Sequence, residues 1–328
     1  MKSPRFTQMR CIYRAKLHAQ TSTLWTLCAA LNESYPISLR PLGLTSWTFI
    51  VNYRKEVTRM YRIKPWEELT IQDDYMFKRI MNIKRICLKL LQGILHVEIK
   101  DIHYLETEKS MEARYRGKGI RLDVYVRDDA DTVYNIEMQV RMLEGHSLFR
   151  RTRYYQSMID ADLLAAGADY DELNKTIIIF ICPFDPFGEG RHIYTFRNFC
   201  AEDKDLELQD GTAKIFLNSK GTMDDVDEEV KAFLDYMNGI LSDNPLVQAI
   251  DEAIQSVKLE KEERVSYMTF AMKMMEERKE GFREGKAEGL LLAIRNVMKN
   301  MSISLEKAMD VLQIPAEERA KYAALVKE

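Results

Sequence analysis

Two carboxylates and an amide, Asp123, Glu137 and Gln139, stand in the stretch GIRLDVYVRDDADTVYNIEMQ at residues 119–139. Glu137 follows Asp123 by fourteen positions, and the text around them alternates between apolar and polar. Leu122, Val124 and Val126 share one side of the first half; Tyr134, Ile136, Met138 and Val140 share one side of the second. A hairpin closing through residues 128–132 (DDADT) sets Asp123 across from Glu137, Tyr125 across from Asn135 and Arg127 across from Val133. Directly opposed side chains of this kind have Cβ atoms roughly 5 Å apart. Like charges at that separation must lose a proton or gain a cation, and donors that are all oxygen suit Mg2+. Gln139 emerges two residues past Glu137 on the same face. The same pattern also describes a half-solvated hairpin whose polar residues simply point to water. Periodicity leaves both readings open.

Other elements must hold such a hairpin. Thr70 followed by Asp73 resembles a capping box, and Met76, Phe77, Ile80 and Met81 then form one side of a helix. Asp73 has a structural explanation as a first-turn carboxylate facing the helix dipole, whereas Asp74 has none. A second helix is expected near residues 84–96, with Ile86, Leu90, Leu91, Ile94 and Leu95 as its buried stripe, and residues 98–107 read as a first strand. His96 and His103 stand singly at the edges of apolar segments and read as structural. Beyond the hairpin, Leu148–Ala166 is expected to be helical, with Gly167 as its C-cap. The spacing pairs Arg150 with Tyr154 and Arg151 with Tyr155 on helix faces, where Arg offers paired donors and Tyr a hydroxyl and a ring to a DNA backbone. The alternative is an Arg and a Tyr packed on the sheet.

Thr176–Cys182 (TIIIFIC) reads as a strand covered on both faces, followed by the turn-rich CPFDPFGEG; HIYTFRNF and AKIFLN supply two more strands. Together these give an α/β core, a central mixed sheet flanked by helices. From Asp224 onward the pattern is helical throughout, broken at Asn244-Pro245. Gly281, Gly285 and Gly289 recur every four residues, which at helical spacing makes either a stripe where another helix approaches or a weak charged linker. Residues 304–327 form a short helix pair suited to packing or self-association.

Composition bounds the rest. With 46% hydrophobic residues, the 328-residue chain can bury one large core or two small ones. A net charge of −3 excludes a globally basic protein, so any nucleic-acid surface must be local. The five cysteines, odd in number and widely spaced, suit a reducing cytoplasm better than a disulfide framework or a zinc site. No apolar run is long enough to span a bilayer. Up to Arg62 there are ten basic residues against Glu33 and Glu56 alone. We expect residues 1–59 to be a basic, poorly packed segment not native to the fold, with Met60 as the true start; residues 60–222 to form the α/β domain; and residues 223–328 to form a helical region.

Asp123, followed by Glu137-Met138-Gln139, resembles the split motif of the PD-(D/E)XK nuclease superfamily, with Gln139 where lysine is usual. The ordered set TIQDDYMFKR, GKGIRLDVYV, YNIEMQ and RRTRYYQSMI is similar to the recombination-promoting nuclease/transposase family over roughly residues 60–300. The resemblance implies a restriction-endonuclease-like core and a Mg2+-dependent DNA endonuclease in which Mn2+ can substitute. It implies Asp123, Glu137 and the Met138 carbonyl as metal ligands, Gln139 as a catalytic residue and Asp74 as an accessory acid. An amide can orient water but brings no positive charge, and a lysine at position 139 would restore the commoner motif. Two other classes remain: a nucleic-acid-binding or regulatory module without catalysis that self-associates through its C-terminal helices, and a helical assembly protein whose α/β part is scaffold.

Overall fold

The chain enters the helix that begins at Asp74 through a closed loop at Thr70–Asp73. The Asp73 carboxylate accepts hydrogen bonds from the Thr70 backbone N–H at 2.7 Å and the Thr70 hydroxyl at 3.1 Å. Helix α1 (Asp74–Met81) therefore starts after Asp73, and Thr70 closes the preceding turn instead of capping the helix. The computed structural model of the protein describes residues 63–107, 110–111, 119–143 and 145–327; the basic segment 1–59 lies outside them. Met76, Phe77, Ile80 and Met81 of α1 are all fully buried. Helix α2 (Lys84–Leu95) buries Ile86, Leu90, Leu91 and Ile94 of the expected stripe, leaves its fifth member Leu95 half-buried, and ends on His96 in the left-handed region.

The strands are β1 (Ile102–Thr107), β2 (Ser110–Met111), β3 (Ile120–Arg121), β4 (Val124–Asp128), β5 (Val133–Met138), β6 (Thr176–Cys182), β7 (Ile193–Phe196) and β8 (Thr212–Asn218). Among the described residues, six of them form one sheet in the order β1-β4-β5-β6-β8-β7, while β2 and β3 make a separate ladder. β5, β6 and β8 run parallel, and the other neighbours in the large sheet are antiparallel. A parallel step from β5 to β6 requires a crossover, and helix α3 (Ser147–Leu163) is that crossover. It ends at Leu163, three residues before the expected boundary, and Gly167 takes its positive φ in the turn that follows. This is the mixed sheet flanked by helices that the alternation predicted.

The crossover decides the fate of the hairpin. Tyr125, Leu148, Tyr155, Ile159, Ile178 and Phe180 belong to one buried cluster, so α3 covers the face that carries the polar residues. Asn135 and Glu137 are 0% and 2% exposed, which rejects the half-solvated hairpin.

Helices α4 (Glu228–Met237), α5 (Pro245–Leu259), α6 (Lys261–Met301), α7 (Leu305–Val311) and α8 (Ala316–Lys327) complete the chain. The break at Asn244-Pro245 is a helix start: the Asn244 side chain accepts from the Leu246 and Val247 N–H groups, and Pro245 needs no donor there. The compact unit containing the sheet runs from Lys64 to Phe270 and so takes in α4, α5 and the first turns of α6, where composition set a division at 222/223. The unit that begins at Ala271 has its own core of Ala293, Ile294, Val297, Ala308, Met309, Leu312, Ile314 and Tyr322. No helix among the described residues is long and apolar enough to cross a membrane.

Because α1 is anchored by fully buried side chains, Phe77→Ala should destabilise the protein by about 3–5 kcal/mol in urea unfolding. A loss below about 1 kcal/mol would mean that Phe77 is not part of a packed core.

Candidate active site

The hairpin has the register its alternation implied: Val124 pairs with Ile136, Tyr125 with Asn135, Val126 with Tyr134 and Arg127 with Val133. One step past the last ladder pair the strands part, and side chains take over from backbone. The Asp123 N–H donates to Glu137 Oε1 at 3.1 Å, and the Met138 N–H donates to Asp123 Oδ2 at 3.2 Å. Each acid is thus pinned by the backbone of the opposite strand.

Cations reach the pair from two helices. Lys78 of α1, only 4% exposed, sets its Nζ 3.2 Å from Asp123 Oδ1 and 2.9 Å from Asp74 Oδ1. Arg121 approaches the other oxygen of Asp74 at 3.3 Å. From α3, Arg151 donates through Nη2 to Glu137 Oε2 and through Nη1 to Gln139 Oε1, both at 2.8 Å. Its guanidinium carbon lies 4.7 Å from the centre of the Tyr155 ring and 5.4 Å from that of Phe180. Gln139 donates its own Nε2–H to the Arg141 carbonyl.

Even so, both acids are hard to ionise. Burial, then the repulsion of Asp123, pushes Glu137 up to about 8, with Arg151 pulling the other way. Burial also raises Asp123, opposed by Lys78 and reinforced by Asp74. A buried carboxylate pair in this condition gains from any further positive charge.

Asp123, Glu137, Gln139 and, through Lys78, Asp74 are therefore brought into one cluster. The four residues expected to meet DNA divide. Arg150 is exposed and Tyr154 half-buried on α3. Arg151 and Tyr155 are turned inward: the first is bound to Glu137 and Gln139, and the second is 6% exposed beneath it. Spacing showed that they share a helix face, but not that this face lies on the sheet. Lys78 is the residue sequence reasoning missed. Its signal was the i,i+4 spacing from Asp74; its burial depends on how α1 packs. His96 and His103 are both exposed and lie near Asp227 and Asp101, outside the cluster.

Residues 71–285 match the family described as PD-(D/E)XK nuclease family transposase. The chain belongs to that family. No curated protein and no solved structure is similar enough to register as a match. Membership in this nuclease and transposase family covers the whole cluster, and its restriction-endonuclease-like α/β fold is the one described above. PD-(D/E)XK nucleases generally use divalent metals. Among the described residues no group of three or more His, Cys, Asp or Glu side chains is assembled around a metal position. The donors nevertheless fit such an ion in kind. They are hard oxygens in a largely buried pair that burial makes hard to ionise.

Glu137 supplies a stability signature. Its carboxyl ionises near 8 when folded and near 4.5 ordinarily, so between those values the folded protein holds more protons. Stability from this group is complete below the lower value and is lost as pH rises through the upper one, by up to about 1.4 kcal/mol per pH unit. In chelator-treated protein the melting temperature should fall between about pH 4.5 and about pH 8. Glu137→Gln should flatten that fall, and an unchanged slope would place its origin elsewhere.

Proposed function

We propose that the protein is a metal-dependent DNA endonuclease whose centre is the Asp123–Glu137 pair. The observation that carries this reading is the reciprocal pinning of two largely buried acids at the open end of the hairpin, both of which burial makes hard to ionise. Asp123, Glu137 and the Met138 carbonyl would hold Mg2+, or Mn2+ in its place. When bound, the ion would supply charge for the developing negative oxygen and lower the pKa of a nucleophilic water.

The chain's own residues do the remaining work. Asp123 and Glu137 fix the place of cleavage in the hairpin. Gln139 holds Arg151 beside Glu137 by accepting its second N–H, so its role is at least partly to orient that guanidinium. Asp74 shares Lys78 with Asp123 and keeps an acid at the edge of the cluster, where its side chain is 38% exposed. Arg150, exposed on α3, is a phosphate contact for DNA, with Tyr154 beside it.

This reading extends to DNA recombination or mobile-element activity in a reducing cytoplasm, which the free thiols of Cys87, Cys182 and Cys200 suit. Self-association through α6 is also part of it. A Cβ added at Gly281, Gly285 or Gly289 would meet nothing within 4 Å, so that strip of helix has room for a second copy.

Supercoiled plasmid with Mg2+ or Mn2+ tests the centre. Asp123→Ala should lower cleavage by ~10³-fold or more, because the charge stabilisation at stake is several kcal/mol. Gln139→Ala should cost ~10- to 100-fold. Arg150→Ala should instead weaken DNA binding and shallow its salt dependence by about one phosphate contact. If Asp123→Ala protein, purified free of contaminating nuclease, nicks plasmid as fast as the parent, the hairpin is not the centre.

A further inference from the structure

Every oxygen of the central pair is engaged by a group of the protein. Asp123 Oδ2 accepts from the Met138 N–H, and Asp123 Oδ1 faces the Lys78 ammonium. Glu137 Oε1 accepts from the Asp123 N–H, and Glu137 Oε2 from Arg151. Each oxygen keeps a second lone pair, but a divalent ion brought to these acids would meet the repulsion of the two side-chain cations beside them. The two differ in kind.

Arg151 is gripped on four sides, by Glu137, by Gln139 and by the rings of Tyr155 and Phe180. A planar guanidinium held in this way keeps its place. Lys78 is a compact charge at the end of a flexible four-carbon stem. It has a second anchor in Asp74, 2.9 Å away, to which it can retreat without leaving the cluster. Its backbone is fixed, because Met76, Phe77 and Ile80 of the same helix are fully buried. Any movement of this charge is therefore a movement of the side chain and not of the helix.

We infer that Lys78 is a positioning residue that occupies the cation place beside Asp123 in the metal-free protein, and that a divalent ion enters by displacing its ammonium toward Asp74. This rests on the metal-centre reading above. The exchange gives Asp123 a counter-charge before the ion arrives, at the cost of weaker ion binding. Removing the ammonium would leave Asp123 and Asp74 less compensated, which lowers the stability of the metal-free protein and raises its appetite for a cation.

Calorimetric titration of Mn2+ into the chelator-treated full chain tests this, with circular dichroism as the check on folding. Lys78→Met should bind Mn2+ ~10-fold more tightly than the parent, one displaced charge being worth about that factor. Lys78→Gln, a polar alternative should the first variant fold poorly, should do the same. Lys78→Arg, which keeps the charge, should bind no more tightly than the parent. Mn2+ should also raise the melting temperature of Lys78→Met by more than it raises the parent's. A role in packing alone would leave affinity unchanged or weaken it. If the parent binds Mn2+, Asp123→Asn does not, and neither neutral Lys78 variant binds more tightly, the exchange is wrong while the metal centre stands. If neither the parent nor the Lys78 variants bind Mn2+, both fall.

Discussion

Two carboxylates cannot be buried side by side unless something compensates them, and much of the α/β unit answers that requirement. Asp123 and Glu137 meet where the hairpin ladder ends, so the backbone N–H groups released by the parting strands are available to them. Those dipoles are not sufficient. A cation is delivered from each of two helices, Lys78 from α1 and Arg151 from α3. The helices that flank the sheet are thus both its apolar cover and the source of its counter-charge.

Each supplier is itself anchored. The crossover connection forces α3 across the sheet, and Arg151 rides on Tyr155 and Phe180 of that interface. On the other side, α1 is tied to the start of α6, where Glu263 pairs with Arg79 and accepts from the Tyr75 hydroxyl at 2.9 Å. The rings of Trp66, Tyr75 and Tyr267 pack around the same junction. Two anchors in one carboxylate, Glu263, explain why a charged residue is tolerated there at 8% exposure. A change at Glu263 would therefore be felt at Lys78 through the seating of α1.

How much of this was legible follows from which facts are local. The hairpin register was, because a period of two admits no half-slip and the DDADT loop has a hairpin length. The apolar stripes of α1 and α2 were legible for the same reason at a period of 3.6. Whether the polar face of the hairpin met water was not, because that depends on α3, whose placement is set by the parallel pairing of β5 with β6. Arg151 and Tyr155 show the same limit. Their spacing fixed a common helix face and left open whether it met DNA or the sheet. Lys78 was the extreme case, since a lysine four residues after an aspartate usually marks a solvated helix surface.

The position usually held by lysine takes on a different meaning once Arg151 is in place. Gln139 Oε1 accepts from the same guanidinium that holds Glu137, and its Nε2 is tied to the Arg141 carbonyl. The amide is an acceptor here. A lysine at 139 would offer only donors, and would set an ammonium against a guanidinium at hydrogen-bonding distance. One of the two cations would have to withdraw from Glu137, and Arg151 would lose one of its two polar anchors. The motif lysine and this arginine are therefore alternatives: with the positive charge arriving from the crossover helix, the strand must present an acceptor. Gln139 is then one half of a pair whose other half lies in α3, and restoring the commoner motif would require changing both.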